Sequence, residues 1–575
     1  MPRLDVKSHG PLALILLLGL ALRIWGIGFG LPNTNCRPDE SILVQKALGF
    51  GTGDLNPHFF NYPTLFMYLL FGLYGGYFVL GKAWGAFASV RDFEWAFLLD
   101  PSNVYLIGRG VGALFGGMTI WAVYRLGREL YSSDTGLLAA LLMAFSFLHV
   151  RDSHFVATDV PMTFFVVMTL WCAARVLHGG KIWDYILAGV CAGLALSIKY
   201  SAFVLLVPLM VAHVLYSRSA RTVLMDRRGW IMVGAVALIF LCGSPYVLLD
   251  ARTALRDISY ELRHLGRGHG VDLGSGWIYH LMFSLRYGLG PSLLAVGVGG
   301  VVLGLLRRRR EDFLLLSFVL VYYVIIGHSR TVFVRYVIPL LPVLCVLAAE
   351  GIVGGVRAIR WLQGRQRALG FAVGVLLILD PGYRSVRHDF LLTQEDTRIM
   401  AQRWIEAHIP SGTRIAMHGG DYGEPQVLET RGWIEKKLMH ARSTWGAYYG
   451  RTFERMLSFS TYPPRPSYEV IQLRTRAPWD EPWIITDYSW TSLRRAGIPF
   501  VVTTEHFLDY SRADAELQTM LQEHGMLLKT FSPFAEGVTP DPVYDPLDGY
   551  YVPLAAFRGI ERPGPIIQIY QLLEE

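Results

Sequence analysis

Apolar runs close to the length of a bilayer crossing recur between Pro11 and Asp380, separated by short basic loops. Hydrocarbon offers the backbone no hydrogen-bond partners, so segments of this kind cross as helices. With 52% hydrophobic and 17% charged residues over 575 positions, the chain is too apolar for a soluble globular protein. The run pattern stops after Asp380. These features predict an α-helical polytopic membrane protein with about eleven transmembrane helices in residues 1–380, followed by a soluble α/β domain in residues 381–575.

The expected spans are Pro11–Leu31, Asn103–Tyr124, Gly136–Val150, Pro161–Leu177, Trp183–Lys199, Ser201–Tyr216, Trp230–Leu249, Pro291–Leu306, Phe313–Gly327, Val334–Ala349 and Gly370–Leu379. The first has a basic flank like a secretory signal, but no small-x-small cleavage site follows, so it reads as a retained span. A further stretch, Thr64–Leu80, is apolar enough to cross. Placed on the surface, it leaves Arg125 and Arg128, Arg175 and Lys181, Arg218 to Arg228, Arg307 to Arg310 and Arg357 to Arg367 all on the inside. As a crossing, it would send the last two clusters outside, against the positive-inside rule. The expectation is an interfacial segment there, with the polar loops 32–102, 151–160, 250–290 and 328–333 and the C-terminal domain on the outer face of the cell membrane.

The net charge of +7 resides largely in loops flanking spans, where cytoplasmic retention accounts for it without nucleic acid. The five cysteines have no CxxC or paired spacing, and the C-terminal region has none. That region shows an amphipathic helix at Thr397–His408, strand patterns at Thr413–Met417, Trp483–Thr486, Pro499–Thr503 and Pro565–Tyr570, and a helix at Ala513–His524.

The outer loops hold the chemistry. Asp39 and Glu40 follow the first span, and adjacent carboxylates at a membrane surface can supply a general base. Pro38 followed by acids is also how a helix begins, so capping is the competing reading. The second outer loop packs His149, Arg151, Asp152, His154 and Asp159 together; Asp159 can cap the helix starting near Pro161 as well as face a substrate. His154, Asp152 and Asp159 could in principle ligate a divalent metal, but no HxxxH or DxD spacing supports one there. Lys199, Arg109 and Arg335 lie at one outer depth. Single basic residues there commonly snorkel, but three together point to an anionic headgroup, with a lipid phosphate the natural candidate. Tyr62-Pro63 shapes the first outer loop, and Ser244-Pro245-Tyr246 breaks a helix near its outer end.

In order along the chain, Asp39-Glu40, Asn61-Tyr62-Pro63-Thr64-Leu65, Gly108-Arg109, Arg151-Asp152-Ser153-His154 with Thr158-Asp159-Val160-Pro161, Gly193-Leu194-Ala195 with Lys199-Tyr200, Ser244-Pro245-Tyr246 and Arg335-Tyr336 with Pro339 and Pro342 resemble the lipid-carrier-dependent glycosyltransferases of the GT-C fold. That group includes protein O-mannosyltransferases and the aminoarabinose transferases of lipid A. The resemblance implies that Asp39 or Glu40 stands at the family's catalytic acid pair and Asp159 at its second-loop carboxylate. No MIR module is visible, and Tyr62-Pro63-Thr64 departs from the Lys-Pro-Pro run associated with aminoarabinose transferases. Acceptor identity therefore does not carry over.

The expected reaction is inverting transfer of one sugar from a polyprenyl-phosphate donor to a protein, lipid or glycan acceptor. Asp39 is the expected base, Glu40 orients it, and Asp159 positions the acceptor. Lys199, Arg109 and Arg335 hold the donor phosphate, and Tyr62, Arg151 and His154 position the acceptor or the loops. The alternative is a polytopic transporter or lipid flippase, which would carry ionisable pairs near the bilayer midplane or two matching halves. Neither feature is found, the only carboxylate inside a span being Asp184 at an inner edge.

Overall fold

The computed structural model describes residues 9–217, 220–359, 364–444, 447–474, 481–508 and 512–574. Arg218 and positions 360–363 of the expected basic loops, and residues 1–8 ahead of the first span, lie outside the described residues. The chain forms two compact units, one of residues 1–27, 42–77 and 105–390, the other of residues 28–41, 78–104 and 391–575.

Among the described residues, the regular structure of the first unit is all helical, and every expected span contains a helix or a short helix pair, the first ending at Ile24 rather than Leu31. Among the described residues, seven helices are long and apolar enough on their own to cross a membrane, or eight if the bent pair Gly276–Leu289 and Pro291–Arg307 is one span. Leu65–Ala83 is among the seven, so length and composition permit the crossing that loop charge argued against. The count of eleven included runs that form shorter helices. Ser133–Ala144 has only 12 residues, nearly all of them buried, as expected of a core helix enclosed by others rather than one facing lipid.

Two helices run past their expected ends. Leu340–Ala358 continues beyond Ala349 and carries Glu350, buried and 3.3 Å from the Arg309 guanidinium. Gln366–Leu392 continues through Pro381, so His388 and Asp389 belong to this unit and not to the C-terminal domain. Glycine permits a close helix contact: a Cβ on Gly189 would lie 2.4 Å from the Met232 carbonyl oxygen, and one on Gly193 2.9 Å from that of Val236. This four-residue spacing lets Ile182–Ile198 press against Arg227–Gly243. The close fit fixes the end of Ile182–Ile198, from which Lys199 projects.

The second unit holds a seven-stranded sheet of β1 (Arg414–Met417), β2 (Leu428–Glu429), β3 (Ser467–Leu473), β4 (Ile484–Ile485), β5 (Phe500–Glu505), β6 (Gly525–Phe531) and β7 (Ile566–Leu572). The order is β2-β3-β1-β5-β7-β6, with β4 also paired to β3. Pairing is parallel from β2 through β5 and antiparallel at β7 and β6. Alternation along β1 divides two cores. Ile415 and Met417 pack with Ala401 and Ile405 of the helix Thr397–His408, while Ala416 packs with Trp433, Leu493 and Leu517 on the other face. The sequence located that helix and four of the strands but not β2, β3 or β6.

Candidate active site

In the first unit, Asp159 is the first residue of the helix Asp159–Gly179, and the preceding Thr158 makes no side-chain cap. The Asp159 carboxylate receives a hydrogen bond from Lys199 Nζ at 2.6 Å. Lys199 follows the last turn of Ile182–Ile198 in extended backbone, so the ends of two successive antiparallel helices bring the pair together. Their side chains are 5% and 15% exposed, dry enough that neither charge is well solvated without the other. The Lys199 ammonium lies 5.4 Å from the centre of the Tyr336 ring, an additional cation–π contact. Tyr322 donates to the Tyr336 carbonyl at 3.2 Å and lies within electrostatic range of Asp159. Arg335 shares the short turn Val334–Val337 with Tyr336, its guanidinium 4.4 Å from the centre of the Phe333 ring.

Arg109 is fully buried and donates to the Ile27 carbonyl at 2.9 Å. Tyr62 is half-buried beside Phe59, and the backbone N–H of Thr64 donates to Ser244 Oγ at 3.0 Å, joining two of the segments that carry the family resemblance.

Arg151 and His154 belong to a buried polar network. Arg151 pairs with Asp152 at 3.1 Å. The His154 ring nitrogens lie 3.0 Å from the carbonyls of Val150 and Trp25, and Nε2 lies 3.7 Å from Asp389. His388 Nδ1 stands 3.1 Å from the same Asp389 carboxylate. Arg23 donates to the carbonyls of Gly19 and Ala144, at 2.7 and 3.1 Å, and to His149 Nδ1 at 3.0 Å. It thereby satisfies a carbonyl at the end of Ser133–Ala144. The network ties the end of the first span to the loop 151–160 and to the helix Gln366–Leu392. Arg23, His388 and Asp389 had no assigned role in the sequence reading. A basic residue near the end of the first apolar run was the available signal for Arg23.

In the second unit, Arg37 forms a buried ion pair with Asp548 and lies 5.5 Å from the centre of the Tyr550 ring. The helix Glu40–Gly49 begins immediately after Asp39, and Glu40 is buried. Asp39 is half-buried with φ of 71°. Ordinary N-cap residues are extended, so the left-handed backbone at Asp39 is not the usual cap geometry. A non-glycine residue in that region carries strain, which concentrates at functional sites.

Among the described residues, no group of three or more His, Cys, Asp or Glu side chains is placed to hold a metal ion.

The chain has the GT-C fold. It matches the structure of an oligosaccharyltransferase from Archaeoglobus fulgidus tethered to an acceptor peptide, at 12% identity, covering 96% of this chain and 78% of that one with a TM-score of 0.52. It also matches ArnT from Cupriavidus metallidurans bound to undecaprenyl phosphate, at 13% identity, covering 98% of both chains with a TM-score of 0.51. No curated protein sequence matches the chain. Residues 104–247 match the family described as dolichyl-phosphate-mannose-protein mannosyltransferase. That segment contains Arg109, Arg151, His154, Asp159 and Lys199.

Proposed function

We propose that the protein is an inverting glycosyltransferase that moves a sugar from a polyprenyl-phosphate carrier to an acceptor on the outer face of the membrane. The observation that carries this reading is the Asp159–Lys199 pair, a sequestered acid and cation inside the segment that matches the mannosyltransferase family. The whole-chain likeness to an enzyme holding undecaprenyl phosphate supports a carrier of that class.

The leaving group is a phosphate, so its departure needs positive charge more than a strong acid. Lys199, Arg335 and Arg109 supply cations to the carrier phosphate, Lys199 sharing its charge with Asp159 in the resting protein. Asp39 takes the proton of the acceptor hydroxyl or amine, Glu40 orients it, and Asp159 positions the acceptor. Tyr62, Arg151 and His154 shape the loops around these groups. Residues 1–380 carry the reaction, and the α/β domain that follows them lies on the extracytoplasmic side.

The test is transfer of labelled sugar from a polyprenyl-phosphate donor by purified protein, with mass spectrometry of the copurifying lipid. A polyprenyl-phosphate sugar bound to the protein and turned over by it is the expected result. Failure to bind or consume any such donor would exclude the reading.

A further inference from the structure

We propose that the helix Ala251–Arg267 lies along the lipid–water interface and grips anionic phospholipid headgroups, with its leucines sunk among the acyl chains beside them. Three faces of this helix support the assignment. The first faces protein: Asp257 accepts from the backbone N–H of Phe60 at 2.9 Å, and Glu261 accepts from Asn61. Asp250, just before the helix, accepts from Asn56 Nδ2 at 2.9 Å, and Leu265 O at its far end accepts from the backbone N–H of Arg330 at 2.9 Å. The helix is therefore held along its length by the rest of its unit, in a fixed rotation.

That rotation turns the second face outward. Leu255 and Leu262 are seven residues apart, two turns along one stripe, and each is 66% exposed. Leu248 and Leu249, immediately upstream, are 63% and 74% exposed. Large aliphatic side chains uncovered to this degree on a helix that otherwise holds polar partners need an apolar medium.

The third face specifies what borders that medium. Arg252, Arg256, Arg263 and Arg267 are spaced four, seven and four residues apart, which at 3.6 residues per turn places all four on one stripe beside the leucines. All four are exposed. Among the described residues, only Arg256 of the four has a carboxylate close by, Asp257 at 2.8 Å, and the Arg263 Nε donates within the helix to the Ser259 carbonyl. An apolar stripe flanked by arginines is the pattern of a helix lying in the plane of the interface, the guanidiniums at headgroup depth. The acidic side chains are confined to the protein-facing side, so nothing negative on the helix opposes an anionic surface.

The experiment uses full-length protein carrying Cys242→Ser, since Cys242 is the exposed member of the five free cysteines. An environment-sensitive fluorophore is placed through Leu255→Cys, Leu262→Cys or, as a control on the outward polar side, Tyr260→Cys. Each protein is reconstituted into vesicles of phosphatidylcholine with or without phosphatidylglycerol, with acyl chains brominated near the headgroup as quencher. Positions 255 and 262 should be quenched several-fold more than 260, and phosphatidylglycerol should raise their quenching by about two-fold. Replacing the four arginines by glutamine should abolish the dependence on phosphatidylglycerol while leaving the protein folded. Equal quenching at the three positions would overturn the interfacial placement. Strong quenching indifferent to phosphatidylglycerol would overturn the recognition of anionic headgroups.

Discussion

Lys199 and Asp159, forty residues apart, close on each other at 2.6 Å across the ends of two consecutive helices. The sequence reading gave them separate partners, the donor phosphate and the acceptor. In the folded chain each is first the other's counter-ion, so under the proposed function an arriving phosphate would compete with Asp159 for the ammonium.

Breaking this pair from one side should be more harmful than removing it whole. Lys199→Met leaves a nearly buried carboxylate alone and should destabilise the protein by about 3–5 kcal/mol. Adding Asp159→Asn should recover part of that loss, with an interaction of about 0.5–3 kcal/mol in the double-mutant cycle. Chemical unfolding of the four proteins in detergent measures it. Strict additivity would mean that the ion pair contributes nothing to stability.

The left-handed backbone of Asp39 makes Asp39→Asn a clean chemical probe, because asparagine adopts that conformation readily. An amide cannot take the acceptor's proton, so transfer should fall by about 10²–10⁴ with donor binding little changed. Glu40→Gln should be milder if Glu40 only orients its neighbour. Near-normal turnover by Asp39→Asn would remove it as the base.

Sidedness can be read chemically in intact cells. In a Cys242→Ser background, an impermeant thiol reagent should label Glu516→Cys in the α/β part and leave Arg309→Cys untouched. The reverse pattern would invert the topology and, with it, the face on which transfer occurs.

His506 gives the α/β part a defined acid sensitivity. Burial, with the Arg398 charge nearby, holds its imidazole down to about 3. Its Nδ1 accepts from the Leu508 backbone N–H at 3.2 Å, and its ring stands 4.3 and 4.7 Å from those of Tyr544 and Tyr551, so the native state holds it neutral. The unfolded chain binds a proton below about pH 6.5, where the folded one does not. Its contribution is therefore complete above that pH and declines as pH falls toward about 3, by up to about 1.4 kcal/mol per unit. His506→Asn keeps an acceptor for Leu508 but cannot titrate in this range. Thermal unfolding across pH 4–7 should show a flatter profile for the variant, and identical slopes would count against a neutral buried His506.

The helices were legible because apolar length in a membrane protein is nearly a direct record of structure. The strand pattern of β5 and the amphipathic period of Thr397–His408 were equally plain. What the sequence hid was connectivity through polar residues. Asp380 and Pro381 look like the end of a span, yet the helix continues to Leu392 because Arg384 bonds Asp380 at 3.0 Å one turn away and His388 and Asp389 find partners in the bundle. Depth along a span singles out residues that share a layer but not which of them have a carboxylate waiting, so it does not reveal the Lys199–Asp159 pairing.

The second unit is assembled from three separated stretches of chain, and this sets an order of events during synthesis. The backbone N–H of Thr34 donates to Gln426 Oε1, 392 residues downstream, Arg37 pairs with Asp548, and the tilted rings of Trp95 and Phe459 lie with their centres 4.9 Å apart. At about 5–20 residues per second, the early stretches wait on the order of 20 seconds or longer for the partners that complete their fold. Throughout that interval, residues 28–41 and 78–104 are finished by the ribosome but not by the protein. A nascent chain arrested before residue 426 should therefore expose them to protease, and a C-terminal fragment beginning at Leu391 would lack part of its own core.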